Sequence, residues 1–85
     1  MIQKDAYNWQ VKVFPKADNF DRFRKLCEEV GELGEALGRK DGEKIAEELG
    51  DVQFVLMTIA ESLDLDLTDL VNEALEKNRD RISGN

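Results

Sequence analysis

Apolar residues recur at steps of three and four along most of this chain. Phe23, Leu26, Val30, Leu33 and Leu37 keep to one face of a helix with 3.6 residues per turn. Ile45, Leu49, Val52, Leu56, Ile59 and Leu63 repeat the spacing and predict a helix from about Gly42 to Leu63. Pro15 interrupts whatever precedes it, and Asp18 or Asn19 can accept from the free N–H groups of a new helix, so the second element starts near Phe20. It closes at Gly38 and the polar run 39–42. Asp66 is a plausible cap for a last helix carrying Leu67, Leu70, Val71, Ala74 and Leu75, fraying through the polar tail Lys77 to Asn85. Residues 3–14 hold Tyr7, Trp9, Val11, Val13 and Phe14, a run short enough to be a helix or an extended arm. The pattern predicts an all-α fold: a small bundle of three to four helices in one domain spanning 1–85.

The third helix also bears on assembly. Seven of the nine residues from Val52 to Ala60 are apolar and cover more than one helical face. An 85-residue chain buries only about 60–65% of its unfolded surface, so a lone bundle is marginal and a homodimer or homotetramer centred on this segment is expected. Nineteen acids against twelve Lys and Arg give a net charge of −7, which argues against binding a nucleic-acid polymer. One cysteine, Cys27, makes no internal disulfide and is expected to pack beside the apolar stripe. With no histidine in the chain, any metal must be held by oxygen. No apolar signal core and no membrane-length apolar run is present, so a cytoplasmic setting away from membranes is expected.

The acids fall in two clusters, Glu28-Glu29-Val30-Gly31-Glu32 and Glu47-Glu48-Leu49-Gly50-Asp51. Glu29 with Glu32, and Glu48 with Asp51, are i,i+3 pairs that share a helical face, at a mutual cost of only about 0.2–0.5 kcal/mol when exposed. Orientation decides more. With Val52 as the centre of the third helix's stripe, Glu48 lies about 40° off centre and Asp51 about 100°. With Val30 as the centre of the second, Glu29 lies about 100° away and Glu32 about 160°, so this pair is expected to flank the stripe and spread toward solvent. A carboxylate facing the core costs several kcal/mol unless neutralised. Arg39, Lys40 and Lys44 lie near the intervening turn, and something other than these is expected to neutralise Glu48. Antiparallel helices would bring the two pairs opposite each other, and converging carboxylates suit Mg²⁺, with Mn²⁺ as the alternative. Singly, each acid reads better as a solvated surface group; jointly, they read better as a metal site.

These residues resemble the MazG-like nucleotide pyrophosphohydrolases of the all-α NTP pyrophosphatase superfamily. The family pattern EExxE, a spacer, then ExxD stands here as Glu28-Glu29-x-x-Glu32 and Glu48-x-x-Asp51, and the blocks at 26–37, 46–52 and 76–81 are similar too, as is Trp9 to Pro15. The resemblance covers roughly residues 7–81. It implies metal-dependent cleavage of a nucleoside triphosphate between its α and β phosphates, giving the monophosphate and pyrophosphate. By resemblance the metal ligands are Glu29, Glu32, Glu48 and Asp51. Glu28 either orients or deprotonates the attacking water or holds a further ion.

Lys77, Asn78, Arg79 and Arg81 are candidates for the distal phosphates, Asn78 being the best family match; cations near a helix C-terminus are also favourable in themselves. Relatives acting on deoxycytidine nucleotides have a lysine and a tyrosine where Ala74 and Ile82 stand, which leaves the phosphate grip to other groups such as Lys16, Lys44 or a neighbouring subunit. Trp9 and Phe14 are candidates to stack on a base, although their size suits core or interface better. Two rival readings are a non-enzymatic helical partner-binding module, indifferent to Mg²⁺, and a phosphoribosyl-ATP pyrophosphohydrolase of the same superfamily.

Overall fold

The computed structural model describes residues 1–82, which form four α-helices: α1 (Ile2–Val13), α2 (Asn19–Arg39), α3 (Gly42–Ser62) and α4 (Leu67–Ile82). The N-terminal run is a helix, and its period is carried by residues other than its rings. Gln3, Ala6 and Gln10 are its buried positions, at steps of three and four. The chain turns at Pro15, where Ala17 N donates to Phe14 O at 3.1 Å. Asp18 then starts α2 with a reciprocal capping box: its Oδ1 accepts from Asp21 N at 2.8 Å, and Asp21 Oδ2 accepts from Asp18 N at 3.0 Å. Lys40, in the left-handed region at φ 55°, ends α2, and Asp41 caps α3 by accepting from Lys44 N at 3.2 Å. Asp66 Oδ1 accepts from Thr68 N at 2.9 Å and from Asp69 N at 3.3 Å at the start of α4.

Helix α3 is the centre of the molecule, packing most extensively on α2, then on α1, and slightly on α4. A single glutamine secures the far end. Gln3 Nε2 donates to Glu61 Oε1 and to the Leu65 carbonyl, and Gln3 Oε1 accepts from Leu67 N. One side chain of α1 thus satisfies groups at both ends of the α3–α4 turn.

The core is thin. Its fully buried apolar residues are Ala6, Ala36, Val55 and Ala60, while the largest completely enclosed side chains are Glu48 and Thr58. The radius of gyration is 15.0 Å, where a compact chain of this length has about 12 Å. The accessible area of 6476 Å² likewise exceeds the roughly 5,100 Å² of a monomeric protein of this mass.

The apolar stripe expected on α2 is divided. The line that packs inward is Arg22, Leu26, Glu29, Leu33 and Ala36, whereas Phe23, Val30 and Leu37 are half exposed. Val30 is therefore not the centre of the packed face. Measured from Arg22, Glu29 lies within about 20° of the inward line and Val30 about 80° to one side. The placement of Glu29 toward solvent is overturned: it is 5% exposed, because α2 meets α3 along the line containing it. Cys27, expected to pack, is exposed. Helix α4 has no buried residue, and its Leu70, Val71, Leu75 and Ile82 are open to solvent in the single chain.

Candidate functional site

The inward faces of α2 and α3 bring three carboxylates together. One oxygen from each of Glu29, Glu48 and Asp51 lies within 4.8 Å of the other two. Glu29 and Glu48 are buried, Glu48 to 1% exposure, and Asp51 is exposed at the edge. The i,i+3 spacing of Glu48 and Asp51 places both on one flank of α3, and Glu29 reaches them from the facing helix.

Each buried acid has one oxygen satisfied and one without a partner. Lys25 Nζ lies 3.2 Å from Glu29 Oε1, and Lys44 Nζ lies 3.2 Å from Glu48 Oε1. Lys44 therefore does reach Glu48, one helical turn away on the same face, correcting the expectation that cations near the turn would not serve. Oε2 of Glu29 and Oε2 of Glu48 are both buried with no hydrogen bond. A buried carboxylate oxygen left unpaired costs roughly 1–3 kcal/mol, more when charged. Two such atoms in one cluster are what a cation-binding centre requires before its ion arrives, so these residues fit a hard divalent ion held by oxygen.

The lysines register the density of acid. Lys25 is held above the usual lysine range first by its hydrogen bond to Glu29 and then by that carboxylate's charge, with smaller contributions from Glu28 and Glu32. Lys44 is raised by its hydrogen bond to Glu48, then by the charges of Glu47 and Glu48, with Glu32 again contributing. Glu32 is exposed and stands outside the close trio, yet its charge acts on both ammonium groups, so it borders the cluster. Glu28 is exposed, with Lys25 Nζ at 3.7 Å.

An open cleft of about 930 Å³ adjoins the cluster, with Glu29 and Asp51 in its lining. Its walls are mainly apolar: Trp9, Val13 and Phe14 from α1 and its exit, and Phe54 and Val55 from α3. Trp9 and Phe54 meet edge to face with ring centroids 5.7 Å apart. Trp9 and Phe14 are each more than half exposed in the chain, so they form the cleft wall rather than the protomer's core. Lys16 and Lys25 also line it. Lys77, Asn78 and Arg81 are exposed on α4 and are not among the residues lining this cleft.

Comparison with known proteins accords with this arrangement. The profile of the MazG nucleotide pyrophosphohydrolase domain matches residues 22–83, which include both acidic clusters and the pairing of α2 with α3. The chain belongs to this family. An uncharacterised protein of Bacillus subtilis (strain 168), YpjD, is 36% identical over 63 residues, covering 62% of this chain and 57% of its own length. The chain thus spans less than two thirds of that relative. No solved structure matches.

Lys25, Gln10 and Arg22 line this cleft and were not singled out by the sequence pattern. For Lys25 a signal was present: Lys25-x-x-x-Glu29 and Lys44-x-x-x-Glu48 are the same i,i+4 pair repeated on the two helices. Gln10 and Arg22 meet only in the tertiary fold, and no spacing announces them.

Proposed function

We propose that this MazG-family domain is a metal-dependent nucleoside triphosphate pyrophosphohydrolase, cleaving (d)NTPs between the α and β phosphates to give the monophosphate and pyrophosphate. The observation that carries the reading is the pair of unpartnered buried oxygens, Glu29 Oε2 and Glu48 Oε2, beside Asp51 at the end of an apolar cleft. Glu29, Glu48 and Asp51 would hold Mg²⁺, or Mn²⁺ in its place, with Glu32 completing the set from the rim. When bound, such an ion supplies Lewis acidity toward phosphoryl oxygen, acidifies water and offsets the negative charge that would repel a triphosphate.

The chain's own residues supply position and charge. Lys25 and Lys44 orient Glu29 and Glu48 by holding one oxygen of each, leaving the other without a hydrogen bond. Lys16 and Lys25 place positive charge along the cleft for the polyphosphate, and Trp9 offers a ring face for the base. Glu28, exposed beside the cluster, is available to accept a proton from water. Lys77, Asn78 and Arg81 would contribute phosphate contacts from α4. The domain occupies 1–85, assembles as a homodimer or homotetramer through the uncovered apolar faces, and works in the cytoplasm. Among the described residues no helix is long and apolar enough to cross a membrane.

The test is pyrophosphate release from a panel of NTPs and dNTPs with Mg²⁺, with Mn²⁺ and with EDTA, beside Glu48→Gln. Metal-dependent release that vanishes in the variant is expected. A folded, metal-supplied protein that releases pyrophosphate from no nucleotide would sink the proposal.

A further inference from the structure

Arg22 is 8% exposed and has no carboxylate partner among the described residues. A buried guanidinium without a counter-ion is costly, and here neutral groups hold it. Its Nε donates to Gln10 Oε1 at 2.9 Å, its Nη1 donates to Asn19 Oδ1 at 2.8 Å, and its Cζ lies 5.4 Å from the centroid of the Tyr7 ring. Both Arg22 and Gln10 line the cleft. Because arginine only donates, the Gln10 amide must turn its oxygen toward Arg22, which commits Gln10 Nε2 as a donor. Among the described residues Nη2 of Arg22 and Nε2 of Gln10 make no hydrogen bond, and neither is sealed from solvent. The Arg22–Gln10 pair therefore presents N–H groups and a full positive charge to a cleft that Asp21 and Thr58 also line, with its fork fixed by three neighbours.

Its position matters as much as its chemistry. Arg22 precedes Glu29 by seven residues on one face of α2, which is about 10.5 Å along the helix axis. With an α-phosphate at the carboxylates, that interval is the order of distance from the phosphate to the far edge of a nucleotide's base. The cleft that Arg22 and Glu29 share also carries Trp9, Phe54 and Val55, surfaces on which a base can stack, beside Lys16 and Lys25 for the phosphates.

Resting on the nucleotide reading above, we propose that Arg22, positioned by Gln10 and Asn19, reads the base: it selects nucleotides whose base edge carries a keto oxygen, as in guanine, uracil and thymine, over those presenting an amino group there. Donors facing a keto oxygen are satisfied; donors facing an exocyclic amine are left unpaired. Well-placed pairs of this kind discriminate by about 5- to 150-fold.

A pair of substrates differing at one position tests this without mutation. Inosine triphosphate carries the purine keto oxygen and purine riboside triphosphate lacks it. Binding of each is read by quenching of Trp9, the sole tryptophan, and turnover by pyrophosphate release with Mg²⁺. The expected result is at least tenfold tighter binding and higher kcat/KM for the inosine compound, with the ratio falling toward one in Arg22→Lys, which keeps the charge but loses the fork. Equal values for the two compounds in the wild-type protein overturn the proposal, as does a folded Arg22→Lys that retains the ratio. Should Arg22→Lys fail to fold, the wild-type ratio decides alone. A preference in binding with no pyrophosphate release would support base reading while refuting the hydrolase; release without preference would do the reverse.

Discussion

The two faces of α2 are built on opposite principles. The face that meets α3 buries Arg22 and Glu29, and the neighbouring face leaves Phe23, Val30 and Leu37 half exposed. Ordinary solubility would reverse them, since charge is costly to enclose and apolar area is costly to wet. Neither face is at rest in the isolated chain. The inner one has two carboxylate oxygens without partners, and the outer one has an apolar line without cover. The contrast separates two requirements. On the function proposed above, a cation would complete the first and a second copy of the chain would complete the second.

Breaking the inner face should have the largest effect on activity. Glu48→Gln keeps the side chain's shape and removes the buried charge; metal-dependent pyrophosphate release should fall by more than the roughly 10–100-fold that loss of a supporting residue around a metal typically causes. Far-UV circular dichroism should be unchanged, since Lys44, freed from Glu48, is itself largely exposed. A variant that remains active would show that the enclosed charge serves no ion.

Filling the inner face should come next, as a gain in stability. Ligand at 100 times its dissociation constant stabilises by about 2.7 kcal/mol, which for a domain of this size is a rise in Tm of roughly 10–20 °C. Differential scanning fluorimetry with Mg²⁺, then with EDTA, should show that rise and its reversal. The rise should be absent in Glu48→Gln.

The outer face is sharpened by Val30→Glu. Most of the 52–60 segment on which assembly is expected to centre is packed within the protomer, whereas Val30 is 50% exposed in the single chain. The substitution therefore disturbs little within a protomer but charges the apolar line left uncovered. Sedimentation should report a fall in mass toward the protomer's 9.7 kDa, with a Tm lower by several degrees. An unchanged mass would move the assembly surface elsewhere, with α4 as the next place to probe.

The smallest effect belongs to neither face but to the start of the helix that carries both. The backbone N–H of Asp18 lowers the pKa of the Asp21 carboxyl below its ordinary 3.8; burial opposes this in part, and the charge of Arg24 adds to the lowering. A depressed folded value means that stability is present above pH 3.8 and is lost as the pH falls through that lower value. Urea midpoints at pH 5 and pH 2.5 should therefore converge between wild type and Asp21→Ala at the acidic end and separate slightly at pH 5.

The contrast also explains what the chain disclosed before its structure was known. The extent of α3 was legible because the polar run 39–42 and the periodic residues from Ile45 to Leu63 agree with one another. Glu48 was legible because it falls within a stripe whose centre, near Val52, is packed. Glu29 was misplaced because α2 carries two adjacent stripes, and the period of the apolar residues alone reported the one that faces away from α3. A single chain's periodicity adds tertiary and assembly faces together and cannot divide them. Helix α1 was ambiguous for a related reason: its buried positions are Gln3, Ala6 and Gln10, while Trp9 and Val13 line a cleft. The pairing of Gln10 with Arg22 joins two elements across a turn and exists only once they pack.

Gln3 ties the start of the chain to the entry of its last helix, and α4 has little other purchase on the bundle. The bearing of α4, with Lys77, Asn78 and Arg81 along it, is thus steered by an amide some sixty residues earlier. A change at Gln3 would free the basic end of the molecule to swing like a rudder, away from the carboxylates on α2 and α3.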